Sequence, residues 1–156
     1  MKKKRVVIIS LLLLLVSVIG ISSYFLFKDK INLLDVDHSA VDWNGKKQKD
    51  TSGEENTIAI PGFEKVTLYA NETKQAVNFH NPEINDCYFK ISLIHPDGSV
   101  LWISDLIEPG KGMYSIELEK TLAVGEYENA VLKYECFSLN DQSPLNGSEI
   151  NLKLVV

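Results

Sequence analysis

Twenty-two consecutive residues without a charge, 6–27 (VVIISLLLLLVSVIGISSYFLF), constrain this chain more than any other feature. At about 1.5 Å per residue they span roughly 33 Å as a helix, enough to cross a hydrocarbon core of about 30 Å. A helix buried in a soluble core keeps a polar face, and this run has none. Lys2, Lys3, Lys4 and Arg5 stand immediately before it. Such a basic stub holds the N-terminus in the cytoplasm and sends the rest of the chain across. The expectation is therefore a cytoplasmic stub over 1–5, a transmembrane helix or uncleaved signal anchor over 6–27, and a translocated remainder. The competing reading is a cleavable signal peptide. Ser17, Gly20, Ser22 and Ser23 offer small side chains for it, but no Ala-x-Ala pattern occurs and the apolar stretch runs on past them. Both readings export the remainder of the chain.

The exported part is acidic. Four of the 16 basic residues precede the run, so twelve lie beyond it with all 21 acidic ones, a formal net charge of −9. Such a surface repels phosphate backbones, so nucleic acid is excluded as a partner, and anionic lipid is disfavoured for the same reason. Residues 28–56 read as a juxtamembrane linker. Its second half, NGKKQKDTSGEEN, is too polar to bury a core. Its first half carries Ile31, Leu33, Leu34, Val36, Val41 and Trp43, as a short amphipathic segment or an extra strand.

From residue 57 the pattern changes to short β-type runs: 57–60, 65–70, 76–80, 87–95, 100–104, 113–118, 127–139 and 149–156. Pro61-Gly62, Asn81-Pro82, Pro96-Asp97-Gly98, Pro109-Gly110 and Asn146-Gly147 punctuate them as turns. Asp97-Gly98 between alternating runs predicts a hairpin. Seven to eight short strands in about 100 residues predict an all-β fold over 57–156, an antiparallel sandwich. The last run reaches Val156, leaving no C-terminal anchor or wall-sorting signal in the expectation.

Cys87 and Cys136 are the only cysteines. In CYFKISLI, Lys90 and Ser92 mark the solvent face, which puts Cys87, Phe89, Ile91 and Leu93 inside. In AVLKYECF, Lys133 and Glu135 mark it, which puts Ala130, Leu132, Tyr134 and Cys136 inside. Two inward thiols in an exported protein suit a disulfide joining the two sheets. Two buried free thiols packed as small hydrophobes are the alternative.

Here the chain resembles the immunoglobulin-like sandwich: Cys87, then Trp102 on the next strand, then Tyr134-Glu135-Cys136. The turn Leu122-Ala123-Val124-Gly125-Glu126-Tyr127 is similar to the entry to a tyrosine-corner strand. The resemblance implies structural core roles for Trp102, Tyr127 and Tyr134. Tyr127 is the preferred corner, and its parity requires a bulge near Asn129. In VLWIS, Leu101 and Ile103 compete with Trp102 for the inward positions. Small membrane-anchored β-sandwich surface proteins of Gram-positive bacteria look similar at this level of architecture, which says nothing about a ligand.

Catalytic signatures are missing: there is no nucleophile elbow, phosphate-cradling glycine loop or zinc-protease helix. Glu54-Glu55 lies in the polar linker, where nothing shifts a pKa. Asp35-Val36-Asp37-His38-Ser39 starts like a calcium loop, but Ala40 and Lys46 stand where Gly and Glu belong. Asn71-Glu72-Thr73 and Asn146-Gly147-Ser148 match the glycosylation pattern and equally suit turns. Metal ligation has His80 and His95 as its candidates, meeting at one end of the sandwich with Met113 nearby; exposed histidines at loop edges are the plainer reading. No cofactor is implied. The expectation is a non-enzymatic, membrane-tethered module for contact with another protein at the cell surface, with the end loops 83–86, 96–99 and 140–148 as its natural contact points. The alternatives are a metal or small-ligand carrier and a secreted domain released by cleavage.

Overall fold

The computed structural model describes residues 33–45 and 57–156. The basic stub, the apolar run 6–27 and linker residues 28–32 and 46–56 lie outside them. Residues Leu34–Val156 form one compact unit. All described regular structure is β: eight strands in two sheets of three and five, one of them a curled half-barrel. In chain order they are β1 (Val41–Asp42), β2 (Lys65–Thr67), β3 (Lys74–His80), β4 (Cys87–Ile94), β5 (Val100–Ile103), β6 (Lys111–Glu117), β7 (Glu126–Ser138) and β8 (Pro144–Val155). The smaller sheet runs β1-β6-β3 and the larger β2-β8-β7-β4-β5.

The central pair β4·β7 is built on alternation. Phe89 opposes Cys136, Ile91 opposes Tyr134 and Leu93 opposes Leu132, all buried on the inner face. Lys90 opposes Glu135 on the outer face, so opposite charges meet across the strands. Phe79 and Trp102 pack against the inner face with ring centroids 5.8 Å apart. Each such apolar side chain, once buried, contributes about 1.5–3 kcal/mol of transfer free energy.

Three sequence expectations are corrected. The sandwich is not wholly antiparallel, because β2 runs parallel to β8 with Val66 beside Leu154. Residues 57–60 form no strand: the N–H and C=O of Ala59 are taken by the side-chain amide of Asn85, at 2.8 and 3.0 Å, so they need no neighbouring strand. β8 starts at Pro144 rather than 149, and Asn146-Gly147 is a bulge within it rather than a turn. A Cβ at Gly147 would collide with the Tyr134 carbonyl, so the close approach requires glycine there. Within the first half of the linker, the described residues take the second of its two expected forms, an extra strand. Val41 pairs with Gly112 and Asp42 with Lys111, which makes β1 an edge strand of the smaller sheet.

The Asp97-Gly98 turn closes the β4–β5 hairpin. His95 N–H donates to Ser99 O at 2.9 Å, and Gly98 sits at φ 85. β7 carries a register shift between Tyr127 and Ala130 with Asn129 at φ 62, the bulge that Tyr127 requires.

Candidate functional site

The chain's most distinctive side-chain construction lies where β3 ends and β6 begins. β1 brings Trp43 over His80, ring on ring, with centroids 3.8 Å apart and planes 9° from parallel. Trp43 Nε1–H donates to Asn78 Oδ1 at 2.7 Å, and its backbone N–H donates to Gly110 O at 2.9 Å. Gly112 lies beneath the stack. A Cβ there would stand 2.8 Å from the Trp43 ring and 2.9 Å from His80 Cβ, so only a residue without a side chain lets the rings lie flat. Beside them Asn44 N–H donates to Tyr114 Oη, which in turn donates to Asn44 Oδ1.

The loops on either side are fixed by a buried amide pair. Asn81 Nδ2 donates to Cys87 O and Ile107 O at 2.8 and 2.9 Å, and Asn81 Oδ1 accepts from Asn85 Nδ2 at 2.9 Å. Asn85 then holds Ala59. These bonds set loops 81–86 and 105–110 side by side, and Gly110 N–H donates to Asn81 O across them. Between the loops and the Trp43–His80 stack opens a cleft of about 790 Å³, lined by Trp43, His80, Pro82, Glu83, Ile84 and Pro109 among others. Ile84 is 77% exposed at its rim. The cleft is acidic: Asp42 and Glu83 line it, and Lys111, 2.5 Å from Asp42, is the cation at its edge. That ion pair draws the Asp42 carboxyl below its ordinary value, the hydrogen bond from Lys111 being the larger cause. Among the described residues 17 carboxylates face seven lysines and no arginine.

The candidate metal ligands are not brought together. His80 is a buried ring under Trp43, 2% exposed, rather than a loop-edge histidine. His95 lies past the far end of β4, eight residues of strand or about 26 Å away. It stands over Tyr127 with Nδ1 3.0 Å from Asp97 Oδ1. Met113 is buried opposite Phe79 and accepts from Ser39 Oγ. Among the described residues no three His, Cys, Asp or Glu side chains stand close enough together to hold a metal ion.

Cys87 and Cys136 are both buried, but they occupy neighbouring strands of one sheet, β4 and β7, not facing sheets. Cys87 opposes Ser138 and Cys136 opposes Phe89, so the two are diagonal neighbours on the inner face. Their thiols hydrogen-bond one another. The neighbouring Cys87 thiol and burial push the Cys136 thiol far up from its ordinary value. Tyr134 is buried against Phe89, with Oη 3.5 Å from Pro61 O and its phenol pushed up by burial. Trp102 is 8% exposed and Leu101 wholly buried, while Ile103 is 46% exposed. Tyr127 Oη donates to Ala123 O at 3.0 Å, four residues upstream.

Of this site, sequence reasoning picked out loop 83–86 as a natural contact point and His80 for another role. Trp43 was visible as an apolar residue in a polar stretch. Asn78, Asn81 and Asn85 carry no local signal, because a turn asparagine and a buried one look alike in sequence. Compared with protein-family models, curated proteins and solved structures, the chain matches none.

Proposed function

We propose that this chain is a non-enzymatic binding module, held outside the cytoplasm by its segment 6–27, which takes another protein at the Trp43–His80 cleft. The single observation that carries the reading is Ile84. It stands 77% exposed at the rim of the cleft, beside the Trp43–His80 stack. Contact surfaces concentrate their energy in such aromatic and aliphatic anchors within a polar rim. The carboxylates around the cleft favour a partner with a basic face.

The sandwich itself is read as immunoglobulin-like. The order β2-β8-β7-β4-β5 with a parallel outer pair supports this, as does the bond of Tyr127 to Ala123. The cysteines depart from the pattern by sharing a sheet, and the proposed Cys87–Cys136 disulfide would be a bridge within that sheet.

Affinity capture of the full chain from membranes, with cross-linking, tests the binding reading. Partners held by the wild type should be lost from Ile84→Asp and kept by Val124→Asp, an equally exposed site elsewhere (77%). A partner set unchanged in Ile84→Asp, or none at all, would refute it.

A further inference from the structure

The stretch that leads out of the apolar run is fastened to one end of the sandwich. Leu34 N–H donates to Gln142 Oε1 at 2.6 Å, and Gln142 Nε2 donates to Leu34 O at 3.0 Å. One side-chain amide thus copies the two-bond exchange of a strand pair and clamps Leu34 to the β7–β8 turn. The turn is itself fixed: Gln142 N–H donates to Ser138 O at 3.0 Å, and Asp141 Oδ1 accepts from Ser143 N–H at 3.1 Å. The next residues are stitched down as well, Leu106 N–H to Asp35 O and Asp37 N–H to Leu106 O.

The apolar run ends at Phe27, so six residues, 28–33, separate it from the clamp. Even fully extended they reach about 20 Å. β7 alone, with 13 residues, is about 43 Å long. With 6–27 as the anchor, the length of 28–33 limits how far the hairpin end of β7 can stand from the bilayer and sets no such limit on the other end. The hairpin end also has an apolar collar. Leu139 and Leu145 flank the turn, 41% and 44% exposed, beside the paired Phe137 and Pro144. No lysine or arginine lies between Lys133 and Lys153. The hairpin itself therefore offers no cation to anionic headgroups, and what it brings to a lipid surface is the short leash and apolar contact.

We infer that the β7–β8 hairpin end rests on the outer lipid surface, with Leu139 and Leu145 in the headgroup zone and the Val124 end pointing away. The inference rests on the anchor proposed for 6–27. The clamp orients the domain; the leucines make the contact.

The test uses the full chain in phosphatidylcholine vesicles that contain a headgroup-nitroxide lipid. Asn140→Cys and Val124→Cys, each labelled with a thiol-reactive fluorophore, report the two ends. The native thiols, each 1% exposed, stay unlabelled in the folded protein. The label at 140 should be quenched at least threefold more than the label at 124. Equal quenching, or more at 124, overturns the proposal. Adding Leu139→Gln and Leu145→Gln should at least halve the quenching at 140; no change would overturn the lipid contact. Co-flotation with the vesicles is scored separately. Protein that does not float refutes the anchor reading and this inference with it, whereas floating protein with the wrong quenching pattern refutes the inference alone.

Discussion

Replacing Asn81 tests whether the cleft loops are held by hydrogen bonding or by packing. Asn81 is completely buried, and its amide satisfies Cys87 O, Ile107 O and one hydrogen of Asn85 Nδ2. Ile107 O keeps a second donor, Phe89 N–H at 3.0 Å, so its loss is partial. Cys87 O and the Asn85 hydrogen lose the bonds Asn81 gave them. A buried group left unpaired costs about 1–3 kcal/mol, so Asn81→Ala should destabilise by about 3 kcal/mol. That is a large part of a typical stability of about 5–15 kcal/mol. Asn81→Asp is the sharper variant, because it has nearly the same shape but presents only acceptors to two carbonyls. It should cost at least as much as alanine. Denaturation of the full chain in detergent micelles, monitored by tryptophan fluorescence, measures both. A double-mutant cycle with Asn85→Ala should show coupling of about 1 kcal/mol or more. If Asn81→Asp costs under about 1 kcal/mol, the hydrogen-bond account is wrong and the loops are held by packing.

Gly112→Ala should cost about 1–3 kcal/mol by overpacking and red-shift Trp43 emission as the stack opens; an unshifted spectrum would show that the site yields without loss. Tyr127→Phe removes the bond to Ala123 and should cost about 1 kcal/mol, seen as faster hydrogen exchange around Gly125 than around Gly98. Asp97, Asp42 and Asp141 have carboxyls held below the ordinary 3.8, chiefly by hydrogen bonds from Ser99, Lys111 and Ser143. Their stabilising effect is full above that unfolded value and fades as pH falls beneath it, so denaturation midpoints should be flat from pH 5 to 7 and drop below about pH 4. A drop already under way at pH 6 would point to other groups. Cys87 and Cys136 are unbridged in the structure, and the proposed disulfide between them, closing a loop of about 50 residues, should add about 4 kcal/mol. Two titratable thiols in denatured, unreduced protein would rule it out.

Much of the sandwich was legible because charged side chains mark faces. Lys90, Lys133 and Glu135 set the parity of β4 and β7, and every inner residue read from them is buried. Ser92 shows the limit: its parity is outward, yet it is 4% exposed between neighbouring strands. Parity gives a residue's face but not its sheet, so Cys87 and Cys136 read as inward without revealing that they share one. The bulge at Asn129 came from a parity conflict, since Tyr127 and Ala130 cannot point the same way on a regular strand. What stayed hidden is non-local. Asn85 replaces a strand partner for Ala59 across 26 residues, and Gln142 does the same for Leu34 across 108. No local pattern announces either, because asparagine and glutamine read as turn or surface residues until the fold buries them. Trp43 and His80 lie 37 positions apart in sequence and meet only because Gly112 leaves room.

The cleft and the hairpin lie at the same end of the molecule, which bears on what can enter the cleft. β4 starts at Cys87 against Ser138, the last residue of β7, and Asn81 bonds the Cys87 carbonyl. Loop 81–86 therefore stands at the end that carries the β7–β8 turn. If the inferred orientation holds, a large soluble protein approaching from outside meets Val124 and Tyr69 first and the cleft last. A partner already in the same membrane meets the cleft directly. Electrostatics favours the same geometry. The carboxylates of the cleft act within a Debye length of about 8 Å and favour a basic segment on such a neighbour. The positive-inside bias leaves the outer juxtamembrane stretches of most membrane proteins poor in lysine and arginine. A membrane neighbour that carries a basic segment on the outer side is therefore uncommon, and that scarcity is what would make an acidic cleft at this height selective.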